Sequence, residues 1–321
     1  MKTINFNLKK YINHFWFCLK LFLFIFLIYI IYKLINKKEI FDLLNYYTII
    51  DCLLISSLTI FMQIVIFSYR FYLCVKLLNL SISFKNCIKS TFLGGIASNT
   101  PLSFLGGDLA RIAFCKSKNI FFKDSVKVIY LDRMFGFLSL ILLSIIFLPY
   151  MLDKISPINK YQYYTIVSII IILGYFVITF LNKILKFLLP HNFNELKFIK
   201  LLAIHNVFYY KFHSSLIIFI ISILATLNFS LSFYFISLSL NYNINFMTIF
   251  STTPIIMLAS MLPMFFSGWG IREFSAIYIL GLFNVTADQS LVLSVIYGIS
   301  LIISYFPGAF ILVKLKAPKT I

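Results

Sequence analysis

The stretch TPLSFLGGDLAR (residues 100–111) lies between long apolar runs and combines a proline, two adjacent glycines, an aspartate and an arginine. Proline removes a backbone hydrogen-bond donor and glycine destabilises a regular helix, so we expect a helix to break here. At membrane depth a broken backbone is tolerated only where protein or a water-filled cavity satisfies its polar groups. In a membrane protein, this stretch would therefore mark a buried polar site.

The composition of the whole chain is that of a membrane protein. Of its 321 residues, 61% are hydrophobic and only 12% are charged. A soluble domain of this size could not bury so much apolar surface, and the apolar runs recur at the roughly 20-residue length that a bilayer core requires. We expect an all-α polytopic membrane protein with a single transmembrane domain over residues 1–321. Candidate spans are residues 15–36, 46–69, 128–151, 161–182, 213–240 and 289–313, and two broken regions, 90–113 and 246–286, bring the expected total to seven or eight helices.

The net charge of +18 comes from lysines that cluster at the ends of apolar runs. This distribution follows the positive-inside rule and argues against nucleic-acid binding. We therefore place both termini, the basic segment 70–89 and the linker 183–211 on the cytoplasmic side of the cell inner (plasma) membrane. The linker mixes lysines with apolar residues at helical spacing, which is typical of an amphipathic helix in the membrane interface.

The second broken region repeats the features of the first. In both, a proline is followed five positions later by a glycine, then by another glycine and by a closely spaced acid and arginine. Paired Gly/Pro-interrupted segments in two halves of a membrane protein are the best sequence indication of a transporter binding site. We predict two re-entrant segments, 90–113 and 261–286, in a pseudo-inverted repeat. The paired residues are Pro101, Gly106, Gly107, Asp108 and Arg111, and Pro263, Gly268, Gly270, Arg272 and Glu273.

Arginine is rare in this chain and is concentrated near these motifs. Lysine outnumbers arginine six to one, and the four arginines are Arg70, Arg111, Arg133 and Arg272. A guanidinium binds phosphate or carboxylate through two hydrogen bonds, and a broken helix end offers free N–H groups to an anion. One alternative is that Asp132–Arg133 and Arg272–Glu273 are ion pairs with a purely structural role. Another is that the arginines only snorkel to the membrane interface. A structural or interfacial role has most weight for Arg70.

Asp51 lies inside an apolar run, where an ionisable residue is a functional candidate by default. It is also compatible with a neutral, hydrogen-bonded aspartic acid. The five cysteines and four histidines show no disulfide or metal-binding spacing. We expect neither a metal nor a cofactor.

The blocks 99–140 and 262–312 resemble the transmembrane region of lysylphosphatidylglycerol synthases, a flippase-like family with many stand-alone members. The family pattern has Asn and Pro before Gly-Asp and Arg, then an Asp–Arg pair that opens a helix. A later Pro precedes a Gly-x-Gly-x-Arg-Glu turn, and a Gly closes the last span. Matching positions are Asn99, Pro101, Gly107, Asp108, Arg111, Asp132, Arg133, Pro263, Gly268, Gly270, Arg272, Glu273 and Gly308. One departure is Trp269, where the family more often has a small or apolar residue, so the ligand is not carried over from the resemblance.

The resemblance implies a domain that moves a lipid or lipid-linked molecule between leaflets. Together with the arginines, it leads us to predict a flippase or scramblase for an anionic phospholipid or a polyprenyl-phosphate-linked lipid. Headgroup-binding candidates are Arg111, Arg272, Arg133, Asn99, Gly106, Gly107, Gly268 and Gly270. Gating or orienting candidates are Asp108, Glu273, Asp132 and Asp51, with Asp108 and Glu273 orienting Arg111 and Arg272. Pro101 and Pro263 are the expected helix breakers.

Two alternatives come from other functional classes. One is an enzyme, or an accessory subunit partnered by a glycosyltransferase or a lipid-modifying enzyme, in a lipid-linked glycan pathway. The other is a proton-coupled small-solute carrier that depends on Asp51. The sequence contains no P-loop, no G-x-S-x-G and no metal cluster. Since residues 1–321 also include no soluble lysyltransferase domain, we do not expect the protein to be an enzyme.

Overall fold

The computed structural model describes residues 46–99, 106–155, 211–261 and 268–314, together with Lys33 and Tyr164. Within these four ranges the secondary structure is helical, without strands. The helices are α1 (Tyr46–Leu77), α2 (Phe84–Ser98), α3 (Gly106–Ser117), α4 (Phe122–Ile155), α5 (Phe212–Ser239), α6 (Phe246–Ser260), α7 (Ile271–Gly281), α8 (Ala287–Tyr305) and α9 (Pro307–Lys314).

Four helical segments are long and apolar enough to cross a membrane: Ile49–Leu77, Phe122–Asp153, Phe212–Ser239 and Ala287–Ile311. They correspond to the expected spans that begin at residues 46, 128, 213 and 289. The protein is therefore an α-helical multi-pass membrane protein. The expected spans 15–36 and 161–182 lie outside the described residues, as does the linker 183–211 except for Lys211.

The first span is longer than the sequence pattern predicted. Helix α1 continues eight residues beyond the expected end at residue 69, through Leu77. Arg70, which the sequence pattern assigned to the basic segment 70–89, therefore lies on α1 and is only 6% exposed. The segment IFSYRFYLCVKLL keeps its apolar face in the core, with Phe71, Cys74 and Val75 fully buried.

The helices form two groups of four in the same order of lengths. Quartet one comprises a long helix, two short helices and a long helix (α1–α4), and quartet two repeats this order (α5–α8). In each quartet the first and third helices are followed by an asparagine with positive φ, a backbone conformation that asparagine tolerates better than most residues. These are Asn79 and Asn119 in quartet one and Asn241 and Asn284 in quartet two, with φ between 56° and 63°.

The equivalent helices α1 and α5 pack against each other in antiparallel orientation. At one end of the pair, Lys211 Nζ donates to the Leu77 carbonyl oxygen at 2.9 Å. Further along, Gln63 Nε2 on α1 donates to the Ala225 carbonyl oxygen on α5. The last long helix of each quartet also packs on the first short helix of the other, α4 on α6 and α8 on α2.

Hydroxyl pairs connect the long helices inside the apolar bundle. Thr59 accepts from Ser232 across α1 and α5 at 2.9 Å, and Ser139 pairs with Thr226 across α4 and α5 at 2.8 Å. A third pair joins Ser56 on α1 to Ser300 on α8. Small hydroxyl residues allow close approach of helices, which is how membrane helices commonly pack.

Candidate anion-binding cavity

A cavity of about 260 Å³ opens where the two quartets meet. All four arginines of the chain line it: Arg70 from α1, Arg111 from α3, Arg133 from α4 and Arg272 from α7. Much of the remaining wall comes from α2 and from aromatic rings. These lining residues include Thr91, Gly94, Gly95, Ser98, Asn99, Phe67, Phe229, Tyr297 and Tyr305.

A single buried carboxylate joins two of the arginines. Asp132 accepts from Arg70 Nε at 2.7 Å through one oxygen and from Arg111 Nη1 at 2.9 Å through the other. All three side chains are at least nine-tenths buried, and the Arg111 guanidinium lies 4.1 Å from the centre of the Phe71 ring. Because a buried charge is tolerated only when paired, this triad fixes both arginines at the cavity wall.

Asp108 has a different partner from the one that the sequence predicts. It accepts from Arg133 Nη2 at 2.9 Å and Nε at 3.1 Å, whereas Arg111 turns inward to Asp132. Adjacent residues on a helix point about 100° apart, so Asp132 and Arg133 cannot share one direction. Asp132 and Arg133 therefore do not form the structural ion pair that the sequence analysis considered as an alternative.

On the other side of the cavity, Glu273 holds Arg272. Its Oε1 accepts from Arg272 Nη2 at 2.7 Å and from Arg272 Nε at 3.2 Å, while its Oε2 accepts from the Gly270 N–H. Ser294 on α8 lies within 3.3 Å of both side chains. The glutamate thus satisfies a free N–H at the start of α7 and orients the arginine at the same time.

Two aromatic rings flank the Arg272 guanidinium. Its central carbon lies 4.9 Å from the Trp269 ring centre and 5.5 Å from that of Tyr297. A Cβ added at Gly298 would clash with Arg272 Nη2 and approach Trp269 to within 2.7 Å. Trp269, the residue that departs from the family pattern, therefore forms part of the cage around Arg272.

The turn before α7 requires glycine. Gly268 has φ of +79° and Gly270 has φ of +87°, a region that L side chains rarely adopt. Gly268 lines the cavity, whereas Gly270 supplies the N–H that Glu273 binds. In the other motif, a Cβ on Gly107 would overlap Ser98, so this glycine allows α2 and α3 to pack closely.

The structure brings most of the predicted site residues to this cavity. Those that line it are Asn99, Arg111, Asp132, Arg133, Gly268 and Arg272. Asp108 and Glu273 contact the lining arginines, while Gly106, Gly107 and Gly270 lie on the flanking helix ends. Asp51 is exposed near the start of α1 and does not line the cavity. Pro101 and Pro263 lie outside the described residues.

The chain matches a family model over most of its length. The family model described as the lysylphosphatidylglycerol synthase transmembrane region matches residues 17–308. The chain belongs to this family. A search of curated proteins and a search of solved structures gave no match. Membership places the chain among membrane proteins with a lipid-related function.

In this member of the lysylphosphatidylglycerol synthase transmembrane family, the described residues at the cavity carry more positive than negative charges. Four guanidinium groups face three carboxylates, those of Asp108, Asp132 and Glu273. One positive charge therefore remains, in surroundings where an unpaired charge is costly. A bound anion of one negative charge would balance it.

Sequence reasoning gave too little weight to several residues that build the wall of this family member's cavity. Arg70 is one of only four arginines, and this scarcity was the signal for it. The sequence FLGG at residues 104–107 also occurs at 92–95, which marks Gly94 and Gly95 as counterparts. A Cβ at Gly94 would lie 2.6 Å from Arg111 Cδ, so Arg111 can reach Asp132 only across a glycine. For Tyr297 and Tyr305 the sequence offers no comparable signal.

Proposed function

We propose that this protein binds the headgroup of an anionic phospholipid or of a polyprenyl-phosphate-linked lipid and moves that lipid between leaflets of the cell inner membrane. The observation that supports it is the convergence of all four arginines on one cavity between the two quartets. Guanidinium groups bind phosphate through paired hydrogen bonds, and low dielectric strengthens those bonds. The acyl chains would remain in the surrounding bilayer.

The short helices support a re-entrant arrangement. The helices α2, α3, α6 and α7 have 15, 12, 15 and 11 residues. At 1.5 Å per residue none of them exceeds about 23 Å, which is less than the roughly 30 Å of a hydrocarbon core. In the proposal each pair enters the membrane, breaks near the cavity and returns to the side from which it came.

The antiparallel packing of α1 and α5 supports an inverted repeat. If equivalent long helices run in opposite directions, then the pair α2–α3 enters from one side of the membrane and α6–α7 from the other. The ends on the side of α2–α3 are rich in lysine, which favours the cytoplasm. These lysines are Lys76, Lys85, Lys116, Lys118, Lys123, Lys127 and Lys211. The loops 240–245 and 282–286, on the opposite side, contain no lysine.

A site shared by two inverted halves suits alternating access. Each half contributes arginines to the cavity, Arg70, Arg111 and Arg133 from one and Arg272 from the other. A movement of one quartet against the other would open the cavity toward one leaflet or the other, as in transporters built from inverted repeats. A headgroup would be released when the carboxylates replace it on the arginines, because a gate needs different contacts in its two states.

The test uses purified protein reconstituted into vesicles that contain phosphatidylglycerol labelled on an acyl chain with a fluorophore that dithionite bleaches. The informative variant changes Arg272→Met and Glu273→Gln together, because removing a buried pair jointly leaves no unpaired charge. The amide introduced by Glu273→Gln retains an oxygen for the Gly270 N–H. The matched control is Lys127→Ala, which removes an exposed cation that is ion-paired with Asp124.

We expect wild-type protein to expose inner-leaflet lipid to dithionite, so that bleaching passes one half. The double variant should lower this rate at least about tenfold, since a charge-assisted hydrogen bond contributes about 1.5–3 kcal/mol. The Lys127→Ala variant should match wild type. Bleaching that stops at one half with folded wild-type protein would refute transport of this lipid, and the same vesicles with polyprenyl phosphate then test the second lipid class.

A further inference from the structure

A second cavity lies between α1 and α5, away from the arginines. It has a volume of about 520 Å³ and is lined by the C-terminal end of α1, by Lys211 and by the N-terminal end of α5. None of its lining residues also lines the arginine cavity. Pockets that bind small molecules have volumes of about 300–1,000 Å³, so this cavity, the α1–α5 groove, is large enough for a lipid headgroup.

The groove lies at the ends of two membrane spans. The candidate span on α1 ends beside it, and the candidate span on α5 begins there. Leu73 and Ile217 belong to its apolar wall, and exposed apolar side chains continue from Ile217 along α5 at Ile220 and Leu224. Because residues three and four apart share one helix face, an acyl chain can lie along this strip while its headgroup occupies the groove.

The polar part of the α1–α5 groove is basic. Lys76, Lys211 and His213 line it, and none of the described lining residues is acidic. The Lys76 ammonium lies 4.7 Å from the centre of the Tyr72 ring. The Lys211 ammonium donates to two oxygen atoms at the end of α1 and in the turn after it, at 2.9 and 3.0 Å, and it has a third N–H. Both ammonium groups are thus held in place, and neither forms an ion pair with a carboxylate among the described residues.

We propose that the α1–α5 groove is a second lipid site, which binds the phosphate of an anionic phospholipid from the leaflet at the lysine-rich end of the bundle. Basic pockets between membrane helices bind such headgroups, and Lys76, Lys211 and His213 supply the donors for the phosphate oxygens. This lipid is a bound component of the protein and is distinct from the lipid in the arginine cavity. Since α1 belongs to quartet one and α5 to quartet two, it joins the two quartets at this end.

The experiment measures Tm of the purified full-length protein in non-ionic detergent during titration with phosphatidylglycerol. The background is the Arg272→Met, Glu273→Gln double variant, in which binding in the arginine cavity is weakened. A ligand that binds only the folded state raises Tm, so the titration reports the affinity of the groove. We expect a rise of about 5–10 °C at about 100 times the Kd. Phosphatidylcholine, whose headgroup has no net charge, should have little effect.

The groove variant adds Lys76→Gln and His213→Gln to this background. Both side chains are exposed, so their replacement should leave the fold intact. Lys211 is kept because its ammonium also stabilises the turn after α1. The matched control adds Lys118→Gln and Lys123→Gln, which remove two exposed cations at the same end outside the groove. We expect the groove variant to weaken phosphatidylglycerol binding about tenfold or more and the control to change it by less than about twofold.

The outcomes distinguish this inference from the proposed function. If the groove variant binds phosphatidylglycerol like its background, or if the control weakens binding as much, the groove is not the site. Equal stabilisation by phosphatidylcholine would refute selection by charge, and equal stabilisation by inorganic phosphate would replace the lipid with a free anion; either result overturns the inference. The proposed function depends instead on the dithionite assay with the Arg272→Met, Glu273→Gln variant, in which the groove is intact.

Discussion

Removing the Asp132 carboxylate should destabilise the protein strongly. In Asp132→Asn the shape of the side chain is kept, but Arg70 and Arg111 lose their shared partner. Two unit charges about 4 Å apart attract by about 4 kcal/mol at an effective dielectric constant of about 20, and Asp132 makes two such contacts. The desolvation of the carboxylate offsets part of this gain. We expect a net loss of about 3–5 kcal/mol, the range found when one partner of a buried ion pair is removed.

Thermal unfolding of the purified protein in detergent checks this magnitude. At roughly 2–4 °C per kcal/mol, the expected fall in Tm is on the order of 10 °C. The same substitution at Asp108 is the control, because its pair with Arg133 has a similar length while the Arg133 side chain is 46% exposed. An exposed pair contributes about 0–1 kcal/mol, so Asp108→Asn should shift Tm by no more than about 3 °C. Equal shifts in the two variants would refute the argument that burial sets the strength of the Asp132 triad.

Other substitutions test the arginine cage and the helix ends. Gly298→Ala should displace Arg272 and weaken phosphatidylglycerol binding about tenfold. The control is Gly281→Ala, which should leave binding unchanged because a new Cβ there meets no atom within 4 Å. Displacement of fluorescent phosphatidylglycerol from the purified protein measures binding in both variants. Gly270→Ala places a Cβ residue at φ of +87° and should lower the free energy of unfolding by about 1–2 kcal/mol, seen as a lower Tm. Lys211→Met should lower the free energy of unfolding by at most about 1–2 kcal/mol, because the Lys211 Nζ donates to the Leu77 carbonyl and to Asn79 at a partly exposed helix end. A fall in Tm that corresponds to a larger loss of stability would contradict this prediction.

The sequence was sufficient for the class of fold and for much of the cavity. Apolar runs of spanning length predicted four long helices that the structure contains, because a bilayer core requires about 20 consecutive apolar residues. The paired motifs likewise singled out Arg111 and Arg272, and both line the cavity. They did so because proline, glycine and charge are each costly in an apolar segment, so their joint recurrence is informative.

The partners in the ion pairs could not be predicted from the sequence, because they depend on the directions in which the side chains point in the folded protein. Asp132 and Arg133 are neighbours in sequence, yet one faces Arg70 and Arg111 while the other faces Asp108. Arg70 was assigned to the basic segment 70–89 because lysines follow it, although the apolar face of α1 continues past it to Leu77. Local charge density indicates the side of a membrane, but only helix packing shows which charges are buried together.

The hydroxyl pairs between the long helices bear on how readily the two quartets can shift. Hydrogen bonds between membrane helices contribute on average about 0.6 kcal/mol each, so the pairs Ser56–Ser300, Thr59–Ser232 and Ser139–Thr226 together contribute about 2 kcal/mol to the contact between the quartets. A shifted arrangement that lost only these three bonds would be populated at a few per cent. Serine and threonine can also exchange partners along a helix face as it slides. The hydrogen bonds between the quartets are thus weak and replaceable, whereas each ion pair of the cavity joins residues of the same quartet and is not separated by this movement.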